Sequence, residues 1–218
     1  MATNSQLLPF TYSGTLGSAA VYESASTEYQ GIAFDSSNNR VVVAYKDDGN
    51  SSYGTAAVGT VSGTSISWGT PVVFAAASTS YVKCVFDSSN NKIVIVYSDV
   101  ANSEHGTAIV GTVSGTSISF GSEVVFASAA TTYIGAAFDS NSNKVVIAYR
   151  DDGNSQYGTA IVGTVSGTSI SFGTEVVFNS GSTIGSAPVF DSSNNKIVIA
   201  YKDSGNSSYG TAVVGTRS

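Results

Sequence analysis

The chain has little of what most catalytic and metal sites need. Its 218 residues include one histidine, one cysteine and one tryptophan, and only 11% are charged. A lone Cys84 cannot form an internal disulfide, and with His105 it falls short of the three or four ligands that a zinc site requires. No apolar run approaches the ~20 residues that span a bilayer, and residues 1–9 lack the basic region and apolar core of a signal peptide. The sequence therefore predicts neither a zinc site nor membrane insertion.

The charge balance is acidic. Fifteen Asp and Glu residues stand against nine Lys and Arg, for a formal net charge of −6. Such a field repels phosphate backbones and anionic lipids, so nucleic acid and membrane surfaces are poor partners. At 42% hydrophobic residues the chain has enough apolar side chains for a core, and its length suits one large all-β domain.

The sequence repeats itself at an offset of 52 residues. Without any gap, this offset aligns sets of four identical residues. These sets are Phe34, Phe86, Phe138 and Phe190; Tyr45, Tyr97, Tyr149 and Tyr201; Asp47, Asp99, Asp151 and Asp203; and Gly54, Gly106, Gly158 and Gly210. Four tandem units therefore account for nearly the whole chain, and the repeated phenylalanines are predicted to be buried between units.

Each unit contains four stretches that resemble strands and none with a helical period. In the second unit the strands are predicted at Tyr81–Asp87, Lys92–Asp99, Gly106–Ser114 and Ser117–Phe126. Short turns rich in Gly, Asn, Asp and Ser separate them, which favours antiparallel hairpins. The longer link Ala75–Ser80 is predicted to be the crossover from one sheet to the next.

Repeated four-stranded antiparallel sheets are typical of a β-propeller, so the predicted fold class is all-β, a four-bladed β-propeller. The approximate blades are 29–74, 81–126, 133–178, and 184–216 completed by 13–22. Ser13–Tyr22 matches Ser65–Phe74 at the same offset, which predicts an interlocking (velcro) closure like that of WD-repeat propellers, in which the N-terminal strand completes the last blade. A monomer is expected, and the alternative is a half ring that dimerises into eight blades.

The hairpin at 47–53, repeated at 151–157 and 203–209, resembles the Asp-box of sialidase-type propellers. It departs from that motif by one residue before the aromatic, and Val100-Ala101 replace Asp-Gly in the second unit. The resemblance implies a structural role, with the aspartate accepting turn amides. Sialidase chemistry does not follow, because that family grips a carboxylate with an arginine cluster. The arginines of this chain are Arg40, Arg150 and Arg217.

The near-identical strings at 106–121 and 158–173 resemble the tandem repeats of phage tail-associated and large surface proteins. That resemblance implies an adhesin or receptor binder at a virion or extracellular surface. No other sequence feature indicates a location.

No catalytic constellation stands out, and the chain is predicted not to be an enzyme. His105, the sole candidate base of a Ser-His-Asp triad, occupies a position where the other units carry tyrosine. Paired carboxylates such as Asp47-Asp48 leave glycosidase chemistry as an alternative. Calcium is also left open, since the Asp-Gly-Asn hairpins offer oxygen ligands although no Glu closes the loop. Otherwise no cofactor or metal is expected.

The crossover segments differ most between units, whereas the other strands barely vary. In a propeller these segments share a face with the Asp hairpins, so a ligand site is predicted there. Its residues are Tyr29, Tyr81, Tyr133, Asp47, Asp151 and Asp203. Aromatic rings with nearby polar groups suit sugars, which predicts a carbohydrate or cell-surface receptor ligand, neutral or cationic rather than acidic. The competing hypotheses are that these tyrosines only pack the hairpins, and that the protein is a structural spacer of a larger assembly or an isolated or engineered ring.

Overall fold

The computed structural model describes Gly14 and residues 16–216. Apart from two 3-10 turns at Asp48–Asn50 and Val100–Asn102, the elements assigned in this part of the chain are all β-strands. The strands are β1 (Thr27–Asp35), β2 (Arg40–Asp47), β3 (Tyr53–Ser62), β4 (Ser65–Trp68), β5 (Val72–Asp87), β6 (Lys92–Asp99), β7 (His105–Ser114), β8 (Ser117–Phe120), β9 (Val124–Asp139), β10 (Lys144–Asp151), β11 (Tyr157–Ser166), β12 (Ser169–Phe172), β13 (Val176–Asp191), β14 (Lys196–Asp203) and β15 (Tyr209–Gly215). No helix in these residues is long and apolar enough to cross a membrane.

The strands are antiparallel and repeat as four modules, which we define as module 1 (27–78), module 2 (79–130), module 3 (131–182) and module 4 (183–216). Hydrogen bonding links the strands in the order β1-β2-β3-β5-β6-β7-β9-β10-β11-β13-β14-β15, with β4, β8 and β12 pairing β3, β7 and β11. Asn39, at positive φ, and Gly63 shape the short turns of module 1, as their sequence predicts.

Three long strands join the modules. The strands β5, β9 and β13 each run for 16 residues. The first part of β5 pairs β3 of module 1, where Val72 faces Ala56, and its last part pairs β6 of module 2, where Asp87 faces Lys92. The predicted crossover Ala75–Ser80 is therefore strand rather than a loop. Register shifts in the pairing of β5 let one strand change partners without leaving the sheet.

The core lies at the junctions between successive modules. At the first junction, the back face of module 1 packs against the front face of module 2. The back face consists of Val42, Ala44, Ala56 and Val58, and the front face consists of Ile93, Ile95, Ile109, Val113 and Ile118. The same pattern recurs between modules 2 and 3. The small alanines opposite isoleucines allow close packing without voids.

A buried tyrosine marks each module's front face. Tyr45, Tyr97 and Tyr149 are fully buried, and the Tyr97 and Tyr149 hydroxyls donate to Glu123 and Glu175 at 2.8 and 2.7 Å. Burial and the neighbouring glutamate raise the pKa of both phenols well above the ordinary value. The Tyr97 and Tyr149 rings therefore fill their junctions while their polar tips are satisfied.

The prediction that the repeated phenylalanines are buried is wrong in degree. Phe34 is 54% exposed, and Phe86, Phe138 and Phe190 are half-buried at the edges of the junction clusters. These residues lie one position before the last aspartate of β1, β5, β9 and β13, which we call the inner strands, where the sheet meets solvent. The fully buried aromatic of each repeat is the tyrosine instead.

The segment before β1 packs on module 1 in the same way as the start of β5 packs on module 2. Tyr22 packs on Tyr45 and Trp68 with ring centroids 5.1 and 5.6 Å apart, as Phe74 packs on Tyr97 and Phe120 at 5.2 and 5.9 Å. Gly17 lies against Thr64 as Gly69 lies against Thr116. The alignment of this segment with Ser65–Phe74 thus has a structural counterpart.

The predicted closure of the ring is not present among residues 16–216. Residues 16–26 belong to no strand, and the strand order ends at β1 and β15 without joining them. Ser13, the predicted start of the closing strand, lies outside the described residues. The described sheet is therefore open, and the N-terminal segment does not complete the last module.

Cys84 tests the packing of the first junction. Its side chain is buried against Val42, and burial raises the pKa of the thiol to about 12. Since the thiolate is the reactive form, we expect no reaction with Ellman's reagent at pH 8 in the native protein and complete reaction in guanidinium chloride. Rapid labelling of the native protein would contradict this packing.

Candidate ligand-binding site

The predicted tyrosines lie at a strained bend of the inner strands. Tyr29, Tyr81 and Tyr133 have φ of 54°, 52° and 52°, a left-handed conformation that is unusual for a bulky residue. The pairing of β1 with β2 skips register there, between Glu28 and Gly31. Such strain persists only where the surrounding structure enforces it, and it clusters at functional sites. The equivalent residue of module 4 is Gly185, so the feature spans three modules.

The bends bring the three rings into one row, which we call the tyrosine ladder. Ring centroids of Tyr29 and Tyr81 are 5.1 Å apart, and those of Tyr81 and Tyr133 are 5.3 Å apart, all with tilted planes. The rings are partly exposed, Tyr29 by 38%. Within the described part of the chain their hydroxyls have no hydrogen bond to protein, which leaves them free for a ligand.

A lysine lies over one end of the ladder. Lys46 Nζ is 6.0 Å from the centre of the Tyr29 ring and forms ion pairs with Glu28 at 2.9 Å and Asp48 at 3.1 Å. The hydrogen bond to Glu28 is the main cause that raises the pKa of Lys46. The cation is thus held by two carboxylates and by the ring face.

An arginine lies over the other end. Arg150 is 4.8 Å from the centre of the Tyr133 ring, and its Nε is 2.7 Å from Asp152. The Thr132 hydroxyl also donates to Asp152 at 3.0 Å. In module 2 the offset places Ser98 where the other two modules have cations. The ladder therefore has a paired cation at each end and an uncharged centre at Tyr81.

The three predicted aspartates hold the hairpins beside the ladder. Asp47, Asp151 and Asp203 each accept the backbone N–H two residues later at 3.0 Å. Asp47 and Asp151 are buried, and burial is the main cause that raises the pKa of Asp151. The carboxylates thus accept hydrogen bonds within their own turns. The tyrosines are the members of the predicted set whose polar groups are free.

The hairpins and the crossover segments lie on the same edge of the sheet. The Asp48 amide donates to Ser26 at 3.0 Å, and the Asp152 amide donates to Ala130 at 2.9 Å. The predicted tyrosines and aspartates are therefore neighbours, although they differ in role.

Sequence reasoning did not single out Lys46, Arg150 or Thr132. A signal was present, because the offset places Lys46, Ser98 and Arg150 at one repeated position, and this position changes its charge while its neighbours stay constant. Among the described residues, no three His, Cys, Asp or Glu side chains are grouped so as to hold a metal ion.

No protein-family model and no curated protein matches the chain. Solved structures do match in fold. An exo-β-1,3-galactanase from Phanerochaete chrysosporium with bound β-1,3-galactotriose has a TM-score of 0.55 at 8% identity, over 80% of this chain and 42% of that one. A leech intramolecular trans-sialidase has a TM-score of 0.55 at 11% identity, over 84% and 30%, and a protein from Lactobacillus plantarum has 0.54 at 12% identity, over 88% and 57%.

These likenesses define a class by fold. The chain is an all-β protein with an open, propeller-like array of antiparallel modules. It spans less than two thirds of the length of each of the three structures. At these identities the comparison concerns the fold alone.

Proposed function

We propose that the protein is a non-catalytic carbohydrate-binding module whose ligand lies along the tyrosine ladder, on a scaffold of four propeller-like blades. The observation that carries the proposal is the row of strained, partly exposed rings with free hydroxyls. Strain of this kind is a cost that packing alone does not need. It is explained if it serves to line up three rings on one surface.

The chemistry of the row suits a short stretch of sugar residues. Pyranose rings have apolar faces that stack on aromatic side chains, and their hydroxyls pair with groups such as the tyrosine hydroxyls. Both cations at the ladder are engaged by carboxylates, Lys46 by Glu28 and Asp48, and Arg150 by Asp152. An acidic glycan would have to compete with these ion pairs, which favours a neutral or amino sugar on a cell-surface receptor.

The proposed role needs no catalytic group. Asp47, Asp151 and Asp203 are assigned to the hairpins, since each already accepts a turn amide. The galactanase and the trans-sialidase with similar folds are carbohydrate-active proteins by name, which agrees with a sugar ligand but says nothing of activity here. No cofactor is assigned to the proposed site.

Replacing Tyr81 tests the ladder at its centre. We expect Tyr81→Ala to weaken binding of a neutral glycan about fivefold, because the middle ring contacts both neighbours and stacking on a ring contributes about 1 kcal/mol. Glycan-array screening of neutral, amino and acidic sugars, with and without calcium, would identify the ligand. Titration calorimetry would then compare the variants.

Tyr209→Ala is the matched control, because Tyr209 is 61% exposed and lies outside the ladder. It should bind as the parent protein does. Binding confined to acidic glycans would contradict the ligand class, and equal affinity of Tyr81→Ala and Tyr209→Ala would contradict the site.

A structural role is the second candidate function. It is favoured by the end faces of the array, where Val61 and Val214 are 52% and 61% exposed although their counterparts between modules are packed. A spacer or display unit would bind no sugar. Failure of every glycan on the array would therefore favour this role.

A further inference from the structure

Tyr29 and Tyr81 are the closer of the two ring pairs in the tyrosine ladder. Their ring centroids lie 5.1 Å apart with 41° between the planes, against 5.3 Å and 52° for Tyr81 and Tyr133. Aromatic rings at such separations are in direct contact. The two residues belong to the inner strands β1 and β5 and stand 52 positions apart in the chain, so their contact bridges modules 1 and 2.

Both phenols of this pair reach solvent. Tyr29 is 38% exposed, and Tyr81 is half-buried. The Tyr81 hydroxyl has no hydrogen bond to the described part of the protein, and its oxygen is not among the buried polar atoms. Each phenol can therefore release its proton to water and meet a reagent in solution.

The other tyrosines of the described chain lack this combination of contact and access. Tyr22 also packs on a tyrosine, but that partner, Tyr45, is fully buried and its hydroxyl donates to Glu23 at 3.3 Å. Tyr209 is 61% exposed and has no ring contact among the described residues. The ladder thus holds tyrosines that are both paired and accessible.

The charges beside Tyr29 favour the loss of an electron from its ring. Lys46 Nζ lies 6.0 Å from the ring centre and is paired with Glu28 at 2.9 Å and Asp48 at 3.1 Å. Two carboxylates therefore outweigh one ammonium group at this end of the ladder. Since negative charge nearby stabilises an electron-deficient group, this end is suited to oxidation.

The charges beside Tyr133 have the opposite effect. Arg150 lies closer to its ring, 4.8 Å from the centre, and is balanced by a single carboxylate, Asp152. A cation over an aromatic face is attracted to the electron density of the ring, so it opposes removal of an electron. Of the two neighbours of Tyr81, Tyr29 is therefore the more readily oxidised.

We propose that Tyr29 and Tyr81 form a modification site, at which a haem peroxidase with hydrogen peroxide joins the two rings by a carbon–carbon bond. Each phenol loses one electron and its hydroxyl proton, and the peroxide is reduced to two molecules of water. The two phenoxyl radicals couple between ring carbons adjacent to the C–O bonds. The hydrogens on those two carbons then move as protons to the oxygens, so both hydroxyls are restored and the chain has lost two hydrogen atoms.

The new bond links modules 1 and 2 covalently at their inner strands. A cross-link between residues 52 positions apart restricts the unfolded chain and so stabilises the folded one. We therefore expect the modified protein to unfold at a higher concentration of guanidinium chloride than the unmodified protein. An unchanged or lower midpoint would contradict a link between two modules.

Peroxidase treatment of the full chain in dilute solution tests the site. Coupled phenols have a blue fluorescence that tyrosine lacks, and tandem mass spectrometry of the digested protein identifies the joined peptides. We expect a single chain lighter by two hydrogen atoms, with Tyr29 joined to Tyr81, in a yield per chain that dilution does not change. No coupled product, a product made only of joined chains, or an internal link at another pair such as Tyr22 and Tyr45 would each overturn the proposal.

Phenylalanine variants keep the rings and remove the hydroxyl that the radical requires. Tyr29→Phe and Tyr81→Phe should each lose nearly all of the fluorescence, because peroxidases do not oxidise phenylalanine. Tyr209→Phe, at an exposed tyrosine outside the ladder, is the control and should keep the fluorescence, as should Tyr133→Phe. Full fluorescence from Tyr29→Phe, or its loss from Tyr133→Phe, would show that the pair is wrongly assigned.

Discussion

Tyr149→Ala is expected to lower the free energy of unfolding by ~3–5 kcal/mol, the range for removing a large buried aromatic ring. Tyr149 has no exposed surface and contacts Phe126 across the junction, with ring centroids 5.4 Å apart. Its removal leaves a cavity between modules 2 and 3 that the paired sheets cannot collapse to fill. Denaturation in guanidinium chloride, followed by circular dichroism, would measure the loss.

Two variants separate the contributions to that loss. Tyr149→Phe keeps the ring and removes only the hydrogen bond to exposed Glu175, which should cost about 1 kcal/mol. Phe138→Ala, at a half-buried position, should cost clearly less than Tyr149→Ala. If Phe138→Ala proved the more destabilising of the two, the assignment of the tyrosines as the principal aromatic core would be wrong.

Stability is expected to fall steeply above pH 10. Burial raises the pKa of Tyr45, Tyr97 and Tyr149 above the ordinary phenol value in the folded protein, whereas the unfolded chain releases those protons near pH 10. Below pH 10 both states keep the protons and the stabilisation is complete. Above it the unfolded state binds fewer protons, so three phenols together lower the free energy of unfolding by about 4 kcal/mol per pH unit.

Urea denaturation between pH 8 and pH 11.5 would measure this dependence. The Cys84 thiol shifts in the same direction and adds a smaller loss that begins near pH 9. Tyr149→Phe should reduce the slope above pH 10 by about 1.4 kcal/mol per pH unit, since one coupled proton is removed. A stability that stays level to pH 11.5 would mean that these phenols titrate normally and are not buried.

Much of the fold could be predicted because it is local and repeated. Alternating apolar residues and turns rich in Asn, Gly and Ser determine each hairpin by short-range chemistry. Four copies at one offset then require four similar modules. The match of Tyr22 to Phe74 led to the expectation that the N-terminal segment completes the last module, whereas Tyr22 packs on module 1. The hairpin role of Asp47 was implied by the Asp-box resemblance.

The remaining features depend on how the modules pack together. Tyr45 and Phe34 are both aromatic and both repeated, and only the three-dimensional position of each decides that the first is buried in a junction and the second lies at a rim. The tyrosine ladder arises because a bend in each inner strand meets the same bend of the next module, a contact between residues 52 positions apart.

By itself, the sequence determined the repeat, the strands and their hairpins, because these follow from side-chain alternation and turn preferences along a few neighbouring residues. Only the tertiary structure decided that the crossovers continue as strands and that the array stays open. Both depend on how successive modules are rotated against each other, across junctions where backbones come as close as those of Gly31 and Cys84. That rotation is the sum of many packing contacts across each junction, and no local pattern encodes it.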